Sequence, residues 1–231
     1  IVETDKDHQV DKYLQRISEM AKKTYGLRKI LTALCYCKQA TNQGLKHIKN
    51  LLRNTRKLNS FICIAHQLDN ITEKGFQQLS SGIKTARHLK EFVFVLDHHQ
   101  QLEMKYIVDG INRLYNLEKL RLDISRNILS DESITGLSSA IKGLKNLNSL
   151  SLSMENLSNV STEAFESLKY LVEKKENLRH VNLKMGNISQ VESSKVLSLF
   201  ESFETIRKIS YHLIDCDSLT AESMKIFEKK L

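Results

Sequence analysis

The stretch Leu147-Asn148-Ser149-Leu150-Ser151-Leu152 reads Leu-x-x-Leu-x-Leu, and Leu117-Glu118-Lys119-Leu120-Arg121-Leu122 repeats it 30 residues earlier. Working outward, the pattern begins seven times, at Leu27, Leu58, Leu89, Leu117, Leu147, Leu178 and Ile206, in steps of 31, 31, 28, 30, 31 and 28 residues. The third and fifth positions after each start are apolar throughout, except that Thr32 takes the fifth in the first repeat. Self-similarity at such a period is the signature of a stacked array, in which each unit buries its apolar face against its neighbours.

Each unit opens with a short period-2 segment and continues into a period-3.6 segment, such as Phe76, Leu79 and Ile83, or Phe165, Leu168 and Leu171. A strand followed by a helix is the expectation for every repeat. Thr41, Thr72, Ser130, Ser161 and Thr220 fall 13 or 14 residues after their repeat starts, where a hydroxyl can accept from an orphan helix amide. The sixth repeat breaks the phase by offering Ser189, and the third offers Glu103 in place of a hydroxyl.

Ile71-Thr72-Glu73-Lys74-Gly75-Phe76-Gln77-Gln78-Leu79 and Leu129-Ser130-Asp131-Glu132-Ser133-Ile134-Thr135-Gly136-Leu137 resemble the strand-to-helix passage of leucine-rich repeats of the ribonuclease-inhibitor-like subfamily. The resemblance covers residues 26–231. It implies a curved α/β solenoid of seven strand-helix repeats, with a parallel concave sheet inside and helices outside. It leaves function open, because the family includes inhibitors, innate sensors, regulators of small GTPases and structural subunits. The chain departs from the family at the eighth residue of each repeat, usually Asn or Cys. Here that position holds Cys35, His66, Asp97, Ser125, Glu155, Gly186 and Ile214, a degenerate ladder.

An open array exposes its core at both ends unless something covers it. Val10, Leu14, Ile17 and Ala21 make one apolar stripe on a helix over about residues 9–23, so residues 1–25 read as an amino-terminal segment with a capping helix and 26–231 as the repeat domain. At the far end Met224, Phe227 and Leu231 form a helix face that nothing later in the sequence covers. With Ile1 in place of an initiator Met, the chain reads as part of a longer one.

The chain contains no Pro, where about 11 would be average, which suits an uninterrupted array. No apolar run approaches the roughly 20 residues of a membrane-spanning helix, and the charged segment from Ile1 to Asp11 is no signal peptide. A cytoplasmic protein is expected. Of the four cysteines, Cys63, Cys37 and Cys216 occupy core offsets of their repeats and Cys35 the eighth position, which reads as reduced structural thiols in a reducing compartment.

The formal charge is +8, and residues 1–60 carry all of it, with 13 Lys and Arg against 5 Asp and Glu. Between Glu19 and Asp69 there is no acidic residue. Lys46, Lys49 and Arg53 are spaced by three and four on the first repeat's helix, and Arg56 and Lys57 follow. This basic patch reads either as a solvated helix face or as a site for an acidic protein surface, such as the tails of cytoskeletal polymers. Nucleic acid is disfavoured, since only Tyr25 and Tyr36 interleave the basic residues.

Alternation along each strand sends offsets 0, 3 and 5 inward and offsets 2, 4 and 6 to the concave surface. Leu31, Ile62, Ile64, Val93 and Val95, with Ala33 beside them, then form an apolar patch in repeats one to three, while the later repeats present hydroxyls and charges. Contiguous exposed apolar surface marks a binding site, unless residues 1–8 or a further segment fold over it.

Catalytic and metal chemistry find little support. Cys35, His66 and Asp97 stack in one slot, with His98 and His99 nearby, but that slot turns side chains toward backbone and does not converge on a tetrahedral centre. No phosphate loop, nucleophile elbow or His-Glu-x-x-His is present, and no cofactor is expected. Asp131 and Glu132 begin a helix, a structural role. The residues point to a non-catalytic protein-interaction scaffold or structural subunit of a larger intracellular assembly, with the cytoskeleton or cilium as its setting. The alternative is a regulator of a small GTPase, for which Lys119, Arg121 and Asp123 are the candidate group, or a ubiquitin-ligase-type substrate adaptor.

Overall fold

The computed structural model describes residues 10–35, 39–66, 68–97, 104–171, 175–188, 190–203, 206–214 and 216. Helix α1 (Val10–Lys23) leads into β1 (Lys29–Cys35), α2 (Asn42–Asn54), β2 (Ser60–His66), α3 (Glu73–Ile83), β3 (Glu91–Asp97), α4 (Met104–Ile111) and β4 (Lys119–Asp123). There follow α5 (Asp131–Lys142), β5 (Ser149–Met154), α6 (Thr162–Glu166) with a 3-10 turn over Ser167–Leu171, β6 (His180–Gly186), α7 (Ser193–Glu201) and β7 (Lys208–Ile214). The expected seventh helix, with Thr220, Met224, Phe227 and Leu231, lies outside the described residues, as do Cys37, His98, His99, Glu103 and residues 1–9.

The strands form one sheet in the order β1-β2-β3-β4-β5-β6-β7, every pair parallel. Lys29 is registered with Ser60, then Glu91, Lys119, Ser149, His180 and Lys208, so the ladder advances in the same steps as the sequence repeat. Helices on one side of the sheet need about 10 Å each, whereas neighbouring strands need about 4.8 Å, so the layers curve with the strands inside. The result is a curved leucine-rich-repeat-like solenoid.

The inward positions build a continuous core. Phe61 stacks on Phe92 at 6.1 Å between ring centroids, and Phe92 on Phe94 at 6.2 Å. Leu122, Leu152 and Leu183 continue the row, all buried. Thr32, the weak position of the sequence pattern, is also buried, and its hydroxyl donates to the Ile62 carbonyl at 3.3 Å, so the polar atom is satisfied.

The helices stack in the same phase. Leu14, Leu45, Phe76, Ile107, Ile134, Phe165 and Val196 occupy equivalent positions and are all buried. Leu14 belongs to α1, so α1 takes the helix position of one more unit and packs against α2. Side chains at the helix starts tie successive units together. The Asp11 carboxylate accepts from the Thr41 amide (3.2 Å) and hydroxyl (2.5 Å), the Asn42 side chain accepts from the Thr72 amide (3.0 Å), and Asp131 accepts from the Ser161 amide (2.7 Å). Gly44 makes room for the first of these, because a Cβ there would lie 2.5 Å from Asp11 Oδ1.

Thr41, Ser130 and Ser161 cap their helices through the side chain, whereas Thr72 stands at the cap position and spends its hydroxyl on Asn42. In the sixth repeat the sequence reading is corrected. The helix begins at Ser193 behind Glu192, 14 residues after Leu178, and not behind Ser189. Burial of Val196 and Leu199 in phase with the other helices outweighs a capping preference of about 1 kcal/mol.

Candidate functional site

Register assembles the apolar surface expected from alternation. Leu31, Ile62 and Val93 are direct neighbours in one row, and Ala33, Ile64 and Val95 in the next. All six are half-buried, each flanked by fully buried residues that point the other way. Rows on adjacent parallel strands lie about 4.8 Å apart, so these side chains touch and form one patch. At one rim Lys29 pairs with Glu91 at 3.6 Å, and the Ser60 hydroxyl donates to the same carboxylate at 2.5 Å. The patch stops at β4, where Val93 is registered with Arg121 and Val95 with Asp123.

The basic residues belong to the other layer and divide into two groups. Lys46 and Arg53 are exposed on α2, but Lys49 is half-buried, and its ammonium donates to Gln78 of α3 at 2.8 Å. Close packing draws it there: a Cβ on Gly82 would stand 2.8 Å from the Lys49 Cα. Arg56 and Lys57 lie in the turn after α2 and line a cavity of about 280 Å³ with Lys22 and Tyr25, the Lys57 ammonium sitting 4.1 Å from the centre of the Tyr25 ring. The apolar patch and the basic residues of α2 therefore face opposite sides of the solenoid.

Beyond β4 the concave surface is polar, and a depression of about 440 Å³ runs over β4 to β7 from Glu91, Val93 and Lys119 at one end to Lys208 and Ser210 at the other. Asp123, placed by the sequence with Lys119 and Arg121, does share their face, and its carboxylate accepts from the Ser125 amide at 3.3 Å. Cys35, His66 and Asp97 are neighbours in register, but the side chains of Cys35 and Asp97 lie outside what is described. Among the described residues no three His, Cys, Asp or Glu side chains converge as a metal site would require. Cys63 is in the core and Cys216 packs at its edge, its thiol directed to the Ile214 carbonyl at 3.3 Å.

One structural ladder and one buried side chain escaped the sequence reading. Residues immediately before the repeat starts reach back to the preceding unit: His88 meets the Thr55 carbonyl (3.1 Å), Asn116 donates to Arg87 (2.9 Å), Asn146 to Tyr115 (3.0 Å) and Asn177 to Lys145 (3.3 Å). The recurrent Asn-Leu at 116–117, 146–147 and 177–178 was the available signal. The second is a single residue, Asn127, which is 1% exposed and directs its amide NH₂ at the carbonyls of Leu96 (2.7 Å), Ile124 (2.9 Å) and Ser125 (3.1 Å). It joins the third repeat to the fourth from a position two residues beyond the eighth of its own repeat, after Arg126 turns the chain with a φ of 59°.

No family model matches the chain, and no curated protein matches it in sequence. Among solved structures it is similar to leiomodin-1 actin-binding site 2, with a TM-score of 0.41 and 12% identity over 81% of this chain and 84% of that one. An N-acetylneuraminate lyase from Mycoplasma synoviae superposes with a TM-score of 0.26 and 10% identity over 90% of this chain and 77% of the other. Neither superposition is close enough to bear on function, and the fold assignment rests on the register. No helix among the described residues is long and apolar enough to cross a membrane.

Proposed function

We propose that this chain is a non-catalytic protein-interaction scaffold whose partner seats on the apolar strand face of repeats one to three. One observation carries the reading: Leu31, Ile62, Ile64, Val93 and Val95 form a contiguous, half-buried apolar patch on the open side of the sheet, where later repeats present polar groups. An apolar patch of this kind is costly to leave in water and is retained where a partner covers it. In this reading residues 1–25 hold an amino-terminal segment and a capping helix and 26–231 the repeat domain, and the repeat length and outer helices support membership of the ribonuclease-inhibitor-like subfamily.

The basic residues Lys46, Lys49, Arg53, Arg56 and Lys57 suit a second, acidic contact on the opposite side, of the kind a subunit makes inside a large assembly. The placement of Cys63 in the core and the charge of the basic end support an intracellular, cytoskeletal setting. The test replaces Ile62, Ile64 and Val93 by Ser and compares partner recovery from extracts of the native source. Recovery is expected to fall for the variant while its circular dichroism is unchanged. Undiminished recovery would remove this face from the proposal.

A further inference from the structure

The polar half of the concave face has a shape and a charge of its own. On β4, Lys119 and Arg121 are exposed, on β6 His180 and Asn182 are exposed, and between them β5 presents only Ser149 and Ser151. Long side chains on either side of hydroxymethyl groups leave a trough along β5, the depression of about 440 Å³, with Lys208 of β7 on its far side.

The nearby carboxylates are already engaged. Glu91 is held by Lys29 and Ser60, Asp123 by the Ser125 amide, and Glu155 pairs with Lys184. Among the described residues no carboxylate forms an ion pair with Lys119, Arg121 or Lys208. Glu91 itself lines one end of the trough, where Lys29 and Ser60 hold its carboxylate, and the rest is a cationic cleft with neutral hydroxyl and amide donors on its floor and wall. Among the described residues no Phe, Tyr or Trp lines it, so they offer no platform for stacking nucleic-acid bases.

We propose that this trough binds an acidic, extended segment of a partner protein, with Asp or Glu carboxylates meeting Lys119 and Arg121 on one wall and His180 and Lys208 on the other. A guanidinium and two ammonium groups without internal partners match carboxylates through charge-assisted hydrogen bonds, and Arg121 can grip one bidentately. Adjacent strands lie about 4.8 Å apart, so β4 to β7 spans about 14 Å, the reach of four or five extended residues. Val93 lines the trough and also belongs to the apolar patch, so the two surfaces are continuous. The proposal deepens the scaffold reading by giving the partner segment a composition: apolar residues over β1 to β3, acidic residues over β4 to β7.

The experiment measures anisotropy of a fluorescein-labelled peptide of alternating Glu and Ser at low and physiological ionic strength. The wild-type chain is expected to bind it saturably and more weakly as salt rises. Replacing Lys119 and Arg121 by Ser is expected to weaken binding about tenfold or more, and Ser151→Glu, which fills and repels at the floor, to abolish it. Lys46, Arg53 and Arg56 together changed to Ser remove more charge, yet are expected to change binding less than about twofold. The proposal is overturned if that helix-face variant loses as much as the trough variant, if the wild type shows no saturable binding, or if a single-stranded RNA displaces the peptide at lower concentration. An Ile62→Ser, Ile64→Ser variant separates the two readings: retained peptide binding with lost partner recovery leaves both standing. Retained partner recovery with a trough that binds the peptide sinks only the apolar face.

Discussion

Replacing Asn127 tests whether one buried amide locks the third repeat to the fourth. Its side chain is 1% exposed, and its NH₂ serves carbonyls of both repeats, Leu96 on one side and Ile124 and Ser125 on the other. In Asn127→Ala the nearest of these, the Leu96 carbonyl at 2.7 Å, loses a donor in a dry environment, which costs about 1–3 kcal/mol. Lost packing of the buried side chain adds to this, so about 2–4 kcal/mol in all is expected. For a chain of this size each kcal/mol lowers the melting temperature by about 2–4 °C, which makes the drop about 5–15 °C.

Asn127→Asp separates hydrogen bonding from packing, because it keeps the volume and turns a donor into an acceptor facing three carbonyl oxygens. It is expected to destabilise at least as much as Ala. Urea unfolding followed by circular dichroism reads both variants. In a quasi-one-dimensional array, weakening one junction also lowers cooperativity, so the slope of the transition is expected to fall with the midpoint. If Asn127→Asp unfolds within about 0.5 kcal/mol of wild type, the donor has no structural role and the reasoning fails.

Gly186→Ala is expected to cost about 1–3 kcal/mol, since the new Cβ would stand 2.8 Å from the Glu155 carbonyl and 3.1 Å from that of Ile214, and backbone atoms on both sides have to shift. Hydrogen exchange localises the effect: faster exchange in β6 and β7 with β1 to β3 unchanged supports the account, and uniform exchange contradicts it. Burial holds the Lys175 amine down at about 8, against 10.5 ordinarily, where it donates to the Lys142 and Leu144 carbonyls at the end of α5. Between pH 8 and 10.5 the unfolded chain binds the extra proton at this site, so stability rises with pH across that window. Relative to Lys175→Met, the wild-type urea midpoint is expected to climb between pH 7 and pH 9.5; a flat difference would refute the titration.

Much of the site was legible because a strand has a side-chain period of two. Once Leu58 and Leu89 are aligned, Ile62 must neighbour Val93 and both must face away from Phe61 and Phe92, and the register agrees. Lys49 was not legible. Helical spacing put it with Lys46 and Arg53, but only the close approach of α3 shows that it turns to Gln78. Asn127 escaped for a related reason, since its role depends on a left-handed turn at Arg126 that no spacing rule reveals.

By itself the sequence determined the period, the parallel register, the core rows and the place of the charge excess, because these follow from side-chain periodicity and one-dimensional stacking. The tertiary structure alone decided which polar groups are already taken. Whether Glu91, Asp123 and Glu155 neutralise the cations of the concave face depends on distances across strands, and those distances leave Lys119, Arg121 and Lys208 open above the serine floor of β5. Composition counts charges without saying which meet, and electrostatic attraction falls with separation, so the cationic trough exists only in three dimensions.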